Sequence, residues 1–339
     1  MRIGLIGWYG HENAGDDRML CCLRRFFGMH DLLVTTSYAD ALLKMDNLNR
    51  CDYVLLGGGG LVLRGFGVYA SIVEQLRPRF ACVGISVEAV HRDNIALIEV
   101  IQKKAEFILV RDARSRSLLE RHYKVIVGPD LTFLYPYAVV DPVDGETCGV
   151  NLRHWHYWRC DYRGRYYHFM RALDRRFPAL RRLYPLPKWL PERALRILSD
   201  EFSTLIPVPL YTEKNHTNDS EVLRSFLGEV DCRFAPDHYR SCRYFVGMRV
   251  HSLMFAAQTG IPFVSLSYQP KNEEFCRAIA LEHLSVDLCD LSKLRTAIST
   301  LKDSYVEIRQ KLIDYRDKSR DEIRQIMTMV LGLIEETVA

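Results

Sequence analysis

The 339-residue sequence predicts an α/β protein of two Rossmann-like domains closed by a C-terminal helix, and three observations carry that prediction. The chain exceeds the length at which a single hydrophobic core usually stops growing. Its first 135 residues alternate short apolar, β-branched runs with amphipathic helical patterns, as in a parallel sheet covered on both faces. A second alternation of the same kind begins near residue 147, beyond a stretch holding Pro136, Pro142 and Gly145 that reads as a linker.

Taken in order, the first domain has strand runs at 3–6, 32–35, 53–56, 81–85, 107–110 and 124–127. These are continuously apolar rather than alternating, so both faces of each strand are expected to be buried. Helical periodicity separates them at 17–27, 39–44, 68–76, 94–104 and 113–122. The second domain offers strands at 147–152, 204–208, 244–246 and 262–266, with helices at 219–229, 251–259 and 272–279. From Leu294 the chain reads as helix, with many i,i+4 charge pairs and no glycine before Gly332. The expected domains are therefore 1–140 and 145–339, the second carrying the C-terminal helices. This layout matches the GT-B arrangement, in which substrates meet in a cleft between two Rossmann-like domains, and such a match speaks to fold and not to chemistry.

Composition excludes several classes. A net charge of +4 is too small to point to nucleic acid. No uninterrupted apolar stretch approaches the roughly 20 residues of a spanning helix, and the N-terminus enters a strand at once without the pattern of a signal peptide. The ten cysteines contain no C-x-x-C pair and lie mostly in apolar runs, so they are expected to be reduced thiols of a cytoplasmic protein. His154 and His156 with Cys160 could ligate a metal, but histidines beside Arg and Trp at a strand end are better read as substrate or surface groups. No metal site is expected.

Three stretches could carry chemistry. The first, Gly7-Trp8-Tyr9-Gly10-His11-Glu12-Asn13-Ala14-Gly15-Asp16-Asp17, follows the first strand and opens a helix, where backbone can approach a ligand and anions are favoured. It is not G-x-G-x-x-G, and no acidic residue ends the second strand, so a dinucleotide site is not expected. Asp16 and Asp17 read either as helix caps alone or as caps of which one is also a catalytic carboxylate. The second is the run Gly57, Gly58, Gly59 and Gly60 at the carboxyl end of the third strand. Four glycines cost folding entropy, which suggests close backbone approach to a substrate.

The third is Val246-Gly247-Met248-Arg249-Val250-His251-Ser252, continued by Gly260-Ile261-Pro262 and Ser267-Tyr268-Gln269-Pro270-Lys271. Arg249, His251 and Lys271 all fall at strand ends. An arginine can hold a carboxylate or phosphate through two bonds, and a lysine adds a point charge. A histidine at a helix start can donate to an anion or exchange a proton near neutral pH.

At these residues the chain resembles the polysaccharide pyruvyl transferase family, over about residues 3 to 276. The family's G-x-x-N-x-G-D is matched by Gly10, Asn13, Gly15 and Asp16, and its glycine run by residues 57–60. Its R-D-x-x-S is matched by Arg111, Asp112 and Ser115, and its arginine at the first strand of the second domain by Arg153. Its G-M-R-x-H is matched by residues 247–251, and the lysine of its Y-D-P-K by Lys271. The chain departs from the pattern at Gln269, where the family has Asp, and at the loop Gly84-Ile85-Ser86-Val87-Glu88.

The resemblance implies transfer of a pyruvyl group from phosphoenolpyruvate to two hydroxyls of a sugar, giving a cyclic ketal and phosphate. No cofactor is implied; phosphoenolpyruvate is a co-substrate. On the donor side it implies Arg153, Arg249, Lys271 and Ser252, with His251 as phosphate-binding donor and acid. On the acceptor side it implies Asn13, Gly58, Gly59, Gly60 and Glu88, with Asp16 as base. The acceptor would be a sugar or a lipid-linked saccharide. A GT-B glycosyltransferase using a nucleotide sugar, and a non-catalytic relative that binds a phosphorylated ligand, stay open as alternatives.

One region differs in composition. Between Arg153 and Arg196 stand twelve Lys or Arg against three Asp or Glu, interleaved with ten Trp, Tyr and Phe, a local excess larger than the charge of the whole chain. Such a stretch is either a solvated helical face or a surface for an anionic acceptor or the inner face of a membrane.

Overall fold

A computed structural model describes residues 1–62, 67–87, 92, 94–119, 124–153, 176, 186–213, 218–228, 234 and 236–338. It divides into two compact units: Met1–Pro136 with Asp317–Ala339, and Tyr137–Arg316. The expected division had kept all of the C-terminal helix with the second domain.

Unit 1 holds a six-stranded sheet of β1 (Arg2–Ile6), β2 (Asp31–Thr35), β3 (Tyr53–Val62), β4 (Arg79–Val87), β5 (Ile108–Val110) and β6 (Val125–Val127). Their order is β2-β1-β3-β4-β5-β6 and every pairing is parallel. The helices between them are α1 (Ala14–Phe26), α2 (Tyr38–Leu43), α3 (Met45–Leu48), α4 (Tyr69–Gln75), α5 (Ile95–Lys104) and α6 (Ala113–Ser117). Ile3, Leu5, Val54, Leu55, Val83 and Leu109 are wholly buried, as the unbroken apolar runs predicted.

Unit 2 repeats the plan. Its sheet of β7 (Thr147–Asn151), β8 (Thr204–Pro207), β9 (Tyr244–Gly247), β10 (Phe263–Ser267) and β11 (Ser285–Asp287) is ordered β11-β10-β9-β7-β8, again all parallel. Its helices are α7 (Leu186–Glu201), α8 (Asp219–Leu227), α9 (Val250–Thr259), α10 (Pro270–Ala278) and α11 (Leu294–Asp303). Strand β11, only three residues of mixed polarity, was not foreseen. Pro207 ends β8, a sheet edge where its missing N–H breaks no ladder.

Helix α12 (Tyr305–Val338) explains the unexpected division. Tyr305, Ile308 and Leu312 bury one stripe among unit 2 residues, and Ile323, Met327, Val330 and Ile334 continue it in unit 1. Gly128 lies against that second half: a Cβ there would meet the Ile326 Cδ1 at 2.7 Å. Arg320 donates to the Tyr135 carbonyl, tying the helix to the last residues of the unit's main segment. No helix among the described residues is long and apolar enough to cross a membrane. The described cysteines are free thiols.

In both sheets the strand order reverses beside the first strand, between β1 and β3 and between β7 and β9. Open parallel sheets bind ligands outside the carboxyl ends of strands at such a reversal. The stretches singled out in the sequence sit at these two places.

Candidate active site

In unit 1 the glycines are matched to the chain's own side chains. Tyr9 is wholly buried beneath the strand ends, and its hydroxyl donates to the Gly57 carbonyl. Burial pushes that hydroxyl far above its usual pKa, with Asp16 adding to the effect, so Tyr9 stays a protonated donor. Gly58 and Gly59 adopt φ of +74° and +97°, and the β3–β4 register shifts just beyond them. A Cβ at Gly58 would lie 3.0 Å from the Tyr9 hydroxyl, and one at Gly59 would lie 2.6 Å from the Asp16 carboxylate. Both glycines are buried; Gly60 is partly open. Replacing Gly59 with alanine is expected to lower stability by about 1–3 kcal/mol, from the strained φ and a displaced Asp16. Urea denaturation checks this, and an unchanged midpoint would mean that the strand end relaxes freely.

Asn13 occupies the N-cap position of α1 without capping it; its amide instead donates to Asp16 at 2.6 Å. Two residues of the expected acceptor side are thus brought together. Asp17 accepts from the Gly10 amide at 2.6 Å, holding the loop closed. Burial raises its pKa, the Gly10 bond working against the shift. Both aspartates stand in the first turn of α1, with Asn13 rather than either of them at the cap position that the simpler sequence reading gave them. His11 stacks flat on Trp8, with ring centroids 3.8 Å apart, and its Nε2 lies 3.0 Å from the Thr36 carbonyl. Glu88 lies outside the described residues.

The Arg-Asp-x-x-Ser motif forms a clasp. Arg111 pairs with Asp130 at 2.7 Å, both side chains sealed at 5% and 1% exposure. Its Nε donates to Ser86, whose hydroxyl donates to Asp112 at 3.2 Å. Asp112 caps α6 through the Ser115 amide, and the Ser115 hydroxyl accepts from the Val87 amide. The clasp joins the ends of β4 and β5 to the loop after β6.

In unit 2 the order β10-β9-β7 sets three cations side by side: Lys271 after β10, Arg249 after β9 and Arg153 after β7. Lys271 stands in the first turn of α10, which Pro270 opens. Arg153 donates to the Tyr268 hydroxyl at 3.3 Å, its guanidinium 5.5 Å from that ring's centre. His251 is in the first turn of α9, 9% exposed, with Phe255 stacked one turn on. Ser252 is wholly buried and donates to the Arg249 carbonyl at 2.6 Å, so its hydroxyl is turned onto backbone. A Cβ at Gly247 would collide with that hydroxyl, which explains the glycine.

Arg249 has a partner the sequence did not reveal. Its Nε and Nη2 engage the carboxylate of Asp219 at 2.7–2.8 Å. Burial opposes the charge on Arg249, yet Asp219 raises its pKa above the usual value. Asn151 donates to Asp219 at 3.0 Å and accepts from the Arg249 amide at 3.1 Å. Asp219 reads in the sequence only as a helix start beside Asn218 and Ser220; nothing local shows that it faces a residue thirty positions later, at the N-cap of α9.

Among the described residues no three His, Cys, Asp or Glu side chains gather as a metal site. His154, His156 and Cys160, with residues 154–175 and 177–185 of the basic, aromatic stretch, lie outside the described residues.

The family model described as polysaccharide pyruvyl transferase matches residues 13–270. No curated protein matches the chain. Among solved structures, a protein from Listeria monocytogenes described as a UDP-N-acetylglucosamine 2-epimerase is 12% identical, with 98% of this chain and 97% of that one covered and a TM-score of 0.58. Anabaena Alr3699/HepE, in complex with UDP and glucose, is 9% identical over 99% of this chain and 100% of its own, with a TM-score of 0.56. UDP-GlcNAc 2-epimerase from Neisseria meningitidis, bound to UDP-GlcNAc, is 11% identical over 97% and 100%, with a TM-score of 0.54. At these identities the likeness is one of fold: the chain has the GT-B-like fold.

Proposed function

The chain belongs to the polysaccharide pyruvyl transferase family, and from that premise we propose that it transfers the three-carbon unit of phosphoenolpyruvate to two hydroxyls of one sugar, forming a cyclic ketal and releasing phosphate. One observation supports the donor above all: Lys271, Arg249 and Arg153 end three adjacent parallel strands. Phosphoenolpyruvate carries a carboxylate and a phosphate on one small frame and needs more than one cationic clamp. We assign Arg249, whose Nε–Nη2 edge is held by Asp219, to one of these clamps.

The reaction balances without redox chemistry. C3 of the enol takes a proton, an acceptor hydroxyl adds at C2, phosphate leaves, and the second hydroxyl closes the ring. His251 is the residue we assign to the proton at C3 or on the phosphate. Asp16, oriented by Asn13, is the base we assign to the acceptor hydroxyl. The acceptor is a sugar in a polysaccharide or its lipid-linked precursor, and no step calls on a metal or an organic cofactor. The working place of such an enzyme is the cytoplasm, with the stretch 153–196 suited to an anionic acceptor or the inner membrane face.

The second reading, a glycosyltransferase using a nucleotide sugar, draws on the same fold, since two of the neighbours above were solved with UDP or a UDP-sugar. One assay separates the two. Phosphate release from phosphoenolpyruvate is measured across a panel of sugar acceptors, with product mass as readout. The expected product is the acceptor plus a ketal-linked pyruvyl group. Turnover that requires a nucleotide sugar would favour the second reading. Binding of phosphoenolpyruvate without turnover across the whole panel would mark a non-catalytic relative.

A further inference from the structure

Two buried arginine–aspartate pairs among the described residues differ in a telling way. Arg111 and Asp130 are both sealed, as a purely structural tie should be. In the second pair the side chain of Asp219 is wholly buried while that of Arg249 keeps 13% of its surface open.

Asp219 is itself held from several sides. Asn151 donates to its Oδ2 at 3.0 Å, and the Leu210 and Tyr211 amides donate to the same oxygen at 3.1 and 3.2 Å. Its own amide donates to the Tyr211 carbonyl. The ring of Tyr211 in turn lies 5.0 Å beneath the Arg249 guanidinium. Residues from β7 and the segment after β8 therefore converge on one carboxylate at the start of α8, and that carboxylate fixes the plane of one guanidinium. Buried ion pairs add little net stability compared with well-packed apolar groups. A pair this elaborate is better accounted for by the orientation it imposes on a flexible side chain.

We propose that Asp219 is the positioning residue of the donor site, acting through Arg249 to aim its guanidinium at the anionic donor. This role rests on the donor reading given above. Asp219→Asn keeps the shape but sets an amide nitrogen against groups that all donate, so the plane of Arg249 is released.

The test is calorimetric binding of phosphoenolpyruvate to the full chain, alongside thermal melting. Asp219→Asn is expected to raise the dissociation constant about 10–100-fold, the range seen when an orienting partner is removed from a ligand-holding side chain. In an Arg249→Gln background the same change should add nothing, because its only route to the donor is gone. Should Asp219→Asn fail to fold, Asn151→Ala leaves the ion pair in place and removes one bond to each partner. It is expected to weaken donor binding about 3–10-fold. A lowered melting temperature with unchanged donor affinity in the folded variants would show a structural role only and overturn the proposal, leaving the donor reading intact. A native protein that binds no phosphoenolpyruvate would overturn the donor reading, and this role with it.

Discussion

Replacing His251 with alanine is expected to lower turnover by about 10²–10⁴-fold, the range lost with a proton-transferring side chain, while donor binding changes far less. The residue stands in the first turn of α9, one turn from Phe255 and two positions after Arg249, so it belongs to the cluster that ends β9. Its near-complete burial excludes bulk water from most of the ring, a setting in which a proton is passed to substrate rather than to solvent. Steady-state kinetics with varied phosphoenolpyruvate separate the roles. An unchanged KM with a collapsed kcat assigns proton transfer; a raised KM with an intact kcat makes His251 a binding residue. Near-native values of both would remove it from the mechanism.

Replacing Arg249 with alanine should act twice. The Asp219 carboxylate would remain wholly buried without its cation, and breaking a buried pair from one side costs about 3–5 kcal/mol. Asn151 and the Leu210 and Tyr211 amides still donate to it, which places the loss toward the lower end of that range. Donor affinity should fall as well, since a hydrogen bond to a charged group contributes about 1.5–3 kcal/mol. The two effects separate in the double variant Arg249→Ala with Asp219→Asn. Removing both charges should restore much of the denaturation midpoint and none of the donor binding. A double variant that regains donor affinity would mean that Arg249 does not touch the donor, and a single variant as stable as the native protein would mean that Asp219 finds other compensation.

The motifs at residues 7–17, 57–60 and 246–271 were legible because their signals are local. A strand followed by glycines and a helix start reads the same in any context, and its carboxyl end is the place where parallel sheets bind ligands. The unbroken apolar runs likewise sufficed for two parallel sheets. The reason for the glycines was not local. In isolation Gly58 and Gly59 suggest room for a substrate, whereas folding places Tyr9, Met19 and Asp16 against them, from segments some forty to fifty residues earlier.

The long helix α12 shows the same limit. Its apolar stripe is plain in the sequence, but the periodicity of a helix does not say which core each half covers. The break in ownership near Arg316 follows from contacts with Gly128 and Tyr135. Arg249 marks the division most sharply. The sequence alone determined that a cation would end β9, because a strand, a glycine and a helix start surround it. Only the tertiary structure decided which way that cation points, because its orientation is set by Asp219, which α8 carries and Asn151 of β7 helps to hold within hydrogen-bonding distance.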